Sequence, residues 1–273
     1  MSTTDQNPAL FNTNDLSATR SDLETLRAKL PPDAVVSLAR EVLSRVSKQS
    51  RPMEQSHRSI EGLTKALIAA DDHDIANLVE QYHRMGVDIT TLYLSYLAPA
   101  AKLLGEWWTK DKVTLADVSI GTGRIYALMR GFKSRLPPPV RPSGKAAFFA
   151  SVPGETHTLG VKMAADLYRQ EGWHIDVEMG MPHDTLVDRI VESGHLLIGL
   201  SAGGIHALPD LARLVLALRV SAPHALILVS GNIVVEAADS IRLIHVDRIS
   251  SSYDGAHRHM IALWDELSHL EEK

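Results

Sequence analysis

Residues 146–172 read AAFFASVPGETHTLGVKMAADLYRQEG, a short apolar run, a glycine-bearing loop and an amphipathic stretch in succession. The run AAFFASV reads as a strand, and Pro153-Gly154 ends it. From Leu159 the pattern turns helical: Leu159, Met163 and Leu167 share one face, and Gly172 stops the helix. Between the two, Glu155, His157 and Gly160 form an E-x-H-x-x-G cluster where the strand meets the helix.

The same alternation continues to the end of the chain. HIDVEM, HLLIGLSA, ALILVS and DRISSS read as further strands, and TLVDRIVESG, LPDLARLVLALRV and HMIALWDELSHL as helices. Strand–helix alternation of this kind predicts a doubly wound parallel sheet with helices on both faces, over residues 146–273. Upstream the texture is helical. DAVVSLAREVLSRV, SIEGLTKALIAADD, HDIANLVEQYHRMG, DITTLYLSYLAPAAKLLGEWW (after Asp88) and TLADVSIGTGRIYALMRGFKSRL (after Thr114) predict a four- or five-helix bundle over residues 31–136. Residues 137–145 hold four prolines and a glycine and read as a linker. Residues 1–30 are rich in Ser, Thr, Asn and Asp and read as a disordered extension.

Composition narrows the function classes. Apolar residues make up 45% of the 273-residue chain and charged residues 22%, which suits a globular protein with a real core. The net charge is −5, and the one basic cluster, residues 129–145, reads as a solvated helix end, so direct nucleic-acid binding is not expected. Residues 59–83 form no helix-turn-helix with a basic recognition helix. The absence of cysteine excludes disulfides, thiol catalysis and thiolate metal sites. No signal-peptide pattern opens the chain, and no apolar stretch approaches the roughly 18 residues of a membrane span, so a cytoplasmic location is expected.

In open α/β sheets ligands bind at the carboxyl ends of the strands. Three such loops stand out: residues 153–160 (PGETHTLG), 199–204 (GLSAGG) and 230–232 (SGN). His157 is open to two readings, a helix-cap or packing histidine, or a metal ligand whose second ring nitrogen Glu155 orients. One imidazole does not hold a free zinc ion, which takes several protein ligands. A metal already held in a macrocycle needs only one axial ligand, which points to a tetrapyrrole-like cofactor.

These elements resemble the cobalamin-binding domain of methionine synthase, methylmalonyl-CoA mutase and their regulatory relatives. That family carries D-x-H-x-x-G, then S-x-L, then G-G. Here Glu155, His157 and Gly160 match the first element with Glu for Asp. Ser201 matches the second with Gly203 in the leucine position, and Ser230-Gly231 matches the third with Ser for the first Gly. The resemblance implies a flavodoxin-like (Rossmann-like) fold and a base-off corrinoid, adenosyl-, methyl- or hydroxocobalamin. His157 is then the lower axial cobalt ligand, among Glu155, Thr156, Thr158, Leu159 and Gly160. The nucleotide tail is then held beside Leu200, Ser201, Gly203, Ser230, Gly231 and Asn232.

LLGEWWTKDKVTLADVS, residues 103–119, is similar to the G-E-x-W…E-H segment of the helical cap in methionine synthase and in light-responsive repressors of the CarH kind. There the tryptophan covers the upper face of the cofactor, a role that falls here to Trp108 or its neighbour Trp107. Val118 and Ser119 occupy the E-H positions, so upper-face capture would pass to another residue, with His83 and His206 as candidates. Taken together, a cap with Trp but no E-H, joined to a G-E-x-H-x-x-G cobalamin domain, resembles the AerR/PpaA antirepressors over about residues 55–270. That likeness implies a non-enzymatic regulator, a photoreceptor or ligand sensor, acting on a PpsR/CrtJ-type transcriptional repressor by protein contact.

Two other functions fit parts of the chain. Residues 199–203, GLSAG, satisfy the G-x-S-x-G nucleophile elbow of hydrolases, with His245, His257 or His259 and Asp239 or Asp254 as possible partners. The corrinoid reading accounts for the same serine. A corrinoid carrier of a methyltransferase system would share both domains and differ in its partners.

Overall fold

The computed structural model describes residues 53–69, 80, 82, 84–133 and 143–271. The expected 1–30 extension, the helix DAVVSLAREVLSRV, linker residues 137–142 and His83 lie outside them. Among the described residues the helical layer has three long elements. These are α1 (Met53–Ile68), a continuous α2 and α3 (Leu115–Lys133), with α2 built from Ile89–Thr91, a π-helical Leu92–Leu97 and Ala98–Thr109.

The helix starts follow from side chains that satisfy free backbone donors. Asp88 accepts the Thr91 N–H at 2.9 Å, and the Thr91 hydroxyl donates to its other oxygen at 2.8 Å. Before α3, Thr114 and Asp117 form a reciprocal box: the Thr114 N–H donates to Asp117 Oδ2 at 2.8 Å, and the Asp117 N–H donates to Thr114 Oγ1 at 3.2 Å. The π-helical segment has no counterpart in the sequence reading; it sets Tyr93, Tyr96 and Leu97 into the helical core.

The α/β part runs β1 (Ala146–Ser151), α4 (Leu159–Gln170), β2 (His174–Glu178), α5 (His183–Ser193), β3 (Leu197–Ser201), α6 (Leu208–Ser221), β4 (Leu226–Ser230), α7 (Ile233–Leu243), β5 (Arg248–Ser250) and α8 (Tyr253–Glu271). All pairings are parallel, and the order is β2-β1-β3-β4-β5. That is the flavodoxin-like order, whose direction reverses between β1 and β3. The sequence reading missed α7, although Ile233, Val234, Ala237 and Ile241 carry its helical period and are buried.

Alternate strand residues feed two cores. Phe148, Ile198, Leu200 and Val229 pack under α5, α6 and α7, while Phe149, Leu197 and Leu228 pack under α4 and α8. Helix α4 has two apolar stripes. Val161, Ala165 and Tyr168 face the sheet, whereas the stripe noted in the sequence, Leu159, Met163 and Leu167, packs against the helical layer. This seam is polar at two points. Buried Asp166 accepts Lys162 at 2.8 Å and Lys133 of α3 at 3.1 Å, and Tyr126 of α3 shares a 2.8 Å hydrogen bond with Thr158. Ile60–Lys273 is accordingly one compact unit.

Candidate functional site: a histidine at the sheet switch point

The loop after β1 turns at Pro153-Gly154, where Gly154 takes φ +78°, a value that favours glycine. The Glu155 N–H donates back to the Val152 carbonyl at 3.0 Å, and this turn sends the Glu155 side chain inward. Its carboxylate is buried. Oε1 accepts the His157 backbone N–H at 2.7 Å and His157 Nδ1 at 2.6 Å, while Oε2 accepts the Gly203 N–H from the loop after β3. Burial pushes the Glu155 carboxyl up. The hydrogen bonds from the His157 and Gly203 amides and from the His157 ring outweigh it and hold the group below its ordinary value.

An ionised carboxylate only accepts, so Nδ1 carries the proton and Nε2 presents a lone pair. The His157 side chain is 71% exposed, so that lone pair faces open space above the sheet. An imidazole oriented through one nitrogen by a carboxylate and open at the other is the form in which histidine ligates metals. His206, on the 3₁₀ turn Ile205–Ala207, places its Nε2 3.8 Å from Glu155 Oε2. Donor atoms of Glu155, His157 and His206 thus lie within 4.8 Å of one another. Both Glu155 oxygens are already committed, so a free ion held by all three would break the bonds that orient His157.

Gly203 stands where the family motif has leucine, and the geometry explains why. A Cβ there would lie 2.8 Å from His157 Nδ1 and 2.9 Å from Glu155 Oε2. Glutamate, one methylene longer than aspartate, reaches across to the β3 loop only because position 203 has no side chain. At Gly231, φ is +107° and a Cβ would overlap the Ala202 carbonyl oxygen, so this turn also requires glycine.

Below these loops, between the sheet and α4 and α8, lies a cavity of about 300 Å³. Its mouth is polar. Ser201, Ser230 and Ser250 stand in one register at the ends of β3, β4 and β5, and all three line it. Its walls are small, with Gly160 and Ala164 of α4 and Gly199 of β3. Glycine inside a strand marks close approach, and a Cβ on Gly199 would meet the Phe149 ring at 2.9 Å. A slot of this size under an open imidazole fits a corrinoid: His157 for the cobalt, the slot for the nucleotide tail.

The sequence-named residues divide accordingly. Glu155 and His157 form one hydrogen-bonded unit, Thr158 ties it to α3, and Thr156 is exposed beside it. Gly160, Ser201, Ser230 and Gly231 line the slot, and Gly203 receives the carboxylate. Leu159 packs on the helical layer. Leu200 requires a correction: its side chain is wholly buried in the core on the opposite sheet face, because strand side chains alternate, and only its carbonyl faces Ser230 Oγ at 3.5 Å. Asn232 donates to Glu236, which also accepts the Ile205 N–H. Trp107 is half-buried at the end of α2, and Trp108 is 48% exposed, so the latter is not a core residue. Sequence reasoning named Gly199 within the 199–204 loop but missed Ser250, Leu94 and Ala98, all of which line the slot. The serine run after β5 was the available signal. Among the described residues no histidine is hydrogen-bonded to Ser201 Oγ, so the G-x-S-x-G match lacks its base.

Comparison with known proteins agrees with this geometry. Residues 146–253 match a B12 binding domain, and residues 59–130 match a second, helical B12 binding domain. The solved monomethylamine corrinoid protein of Methanosarcina barkeri superposes with a TM-score of 0.62 at 15% identity, covering 76% of this chain and 99% of that one. A cobalamin-binding protein from Desulfitobacterium hafniense follows with a TM-score of 0.39 at 17% identity, covering 75% of this chain and 98% of that one. The methanol:cobalamin methyltransferase complex of M. barkeri gives 0.35 at 13% identity, covering 81% and 90%, so the fold likeness rests on the first. A search of curated proteins returns no match. With both B12 binding domains in one chain, and an oriented imidazole and a slot that fit the cofactor, this is a cobalamin-binding protein.

Proposed function

We propose that this cobalamin-binding protein is a regulator rather than an enzyme, an antirepressor that meets a PpsR/CrtJ-type transcriptional repressor by protein contact in the cytoplasm, without touching DNA or membrane. Among the described residues no helix is long and apolar enough to cross a membrane. The observation that carries the reading is the hydrogen bond between Tyr126 of α3 and Thr158, the residue immediately after the axial histidine. Cobalamin supplies a cobalt centre whose upper ligand changes with light or ligand exchange. His157 would hold that centre, and the hydrogen bond between Thr158 and Tyr126 would couple the ligand loop to α3. The Lys133–Asp166 bond ties the far end of α3 to α4, so α3 is biased about a fixed end. Trp108, exposed at the end of α2, is the residue that would cover the cofactor's upper face.

The test is capture of a PpsR/CrtJ-type repressor by apo protein, by cobalamin-loaded protein in the dark and by the same protein after green light, with visible spectra recorded in parallel. State-dependent capture is expected; equal capture in all three states overturns the regulatory role. A second reading, a corrinoid carrier for methyl transfer, draws support from the fold shared with the monomethylamine corrinoid protein along nearly its whole length. It predicts repeated methylation and demethylation of the bound corrinoid by a methyltransferase pair, and no dependence of repressor capture on cofactor state.

A further inference from the structure

One buried polar group in the slot has no role in holding cobalt. Tyr168 is 2% exposed, lines the cavity, and its hydroxyl has no hydrogen-bond partner among the described residues. Buried hydroxyls are nearly always paired, so an orphan in a ligand cavity marks a place for a ligand atom. The ring cannot swing away to find water. Phe149 and Trp173 pack edge-on against it at 5.2 Å between centroids, and Tyr253 and His257 close the other sides at 5.9 and 5.3 Å. Burial, with Tyr253 and Glu171 nearby, raises the phenol well above its ordinary range, so it stays protonated.

The position in the slot is also informative. Gly160 stands at the mouth and Tyr168 lies eight residues further along α4, about 12 Å down at the helical rise per residue. Near the mouth the lining is hydroxyl-rich, suited to a phosphate and sugar. Lower down Phe149, Met163, Leu228 and Met260 make it apolar, suited to a flat aromatic base. Tyr168 is the polar exception among these lower residues.

Resting on the cobalamin-binding reading, we infer that Tyr168 reads the far edge of the tail base, and that the slot selects corrinoids whose base carries a hydrogen-bonding group there over those with methyl groups. A tyrosine hydroxyl both donates and accepts, so a ring hydroxyl pairs with it. A methylated edge leaves it unpaired in an apolar cavity.

The experiment measures dissociation constants for cobalamin, whose base is 5,6-dimethylbenzimidazole, and for the 5-hydroxybenzimidazole corrinoid, on the native protein and on Tyr168→Phe. The native protein is expected to favour the hydroxylated base about tenfold, the factor of one net hydrogen bond. Tyr168→Phe keeps the aromatic packing and is expected to bring the ratio near one. Equal affinities in the native protein, or an unchanged ratio in the variant, overturn the inference. Failure of the native protein to bind either corrinoid instead removes the cobalamin reading beneath it.

Discussion

Replacing Gly203 with alanine adds one methyl group at the point where two loops meet one carboxylate. The new Cβ would lie 2.8 Å from His157 Nδ1, 2.9 Å from Glu155 Oε2 and 3.1 Å from His157 Cγ. Ordinary non-bonded contact is about 3.5 Å, so relief requires a shift of roughly 0.6 Å. Either the Gly203 N–H leaves Oε2 or His157 Nδ1 leaves Oε1, and one hydrogen bond to a charged group is worth about 1.5–3 kcal/mol. Losing that orientation should raise the dissociation constant for hydroxocobalamin about 10–100-fold, the range typical for partners of metal-bound histidines. Titrating apo protein and following the visible absorption gives both the affinity and the axial ligand. Glu155→Asp in the Gly203→Ala background should recover part of the loss, since a shorter side chain withdraws from the added methyl. Native affinity and an unchanged spectrum for Gly203→Ala alone would falsify the pairing of these two positions.

Gly199→Leu should fill the slot while leaving His157 untouched. Cobalamin affinity is then expected to fall at least tenfold, but not that of cobinamide, which lacks the nucleotide tail; parallel losses for both would mean that the cavity is not the tail site. Asp88→Ala should cost about 1 kcal/mol by removing the cap of α2. Burial raises the Asp88 carboxyl, but the Thr91 bonds outweigh it and the net value is lowered. The cap therefore contributes fully above the ordinary carboxylate value of about 3.9 and fades as pH falls through the lowered one. The difference in Tm between native and variant should be constant from pH 7 to 5 and shrink below about pH 4; a difference that grows on acidification contradicts the assignment. Asp166→Ala should cost about 2 kcal/mol in urea unfolding, since it breaks charged bonds to both Lys162 and Lys133. An effect near zero would remove this seam from the account of how α3 is held.

Strand–helix alternation made the sheet legible because each element carries its own period and its own stop, as Gly172 and Gly194 do. The E-x-H-x-x-G cluster marked the carboxylate-oriented histidine because its elements are local in sequence. The slot was less legible, since its walls come from α2, α4, α8 and four strands, and only packing brings Leu94, Gly160, Gly199 and Ala256 together. Leu200 was misplaced because neighbouring residues of one motif fall on opposite sheet faces, so a match in sequence does not fix a direction in space. Tyr168 gave no signal at all. A tyrosine in an amphipathic helix reads as core, and its missing hydrogen bond exists only in three dimensions.

The departures from the family motif are coupled. Glu155 in place of aspartate would overreach if position 203 kept a leucine, and Gly203 in place of leucine would leave a gap if position 155 kept the shorter acid. Together they place the carboxylate's second hydrogen bond on a backbone N–H of the β3 loop. That fixes the β1 and β3 loops to each other on both sides of the point where strand order reverses, and with them the orientation of His157. The link from this loop to the helical layer is of another kind, a single neutral hydrogen bond between Thr158 and Tyr126 of α3.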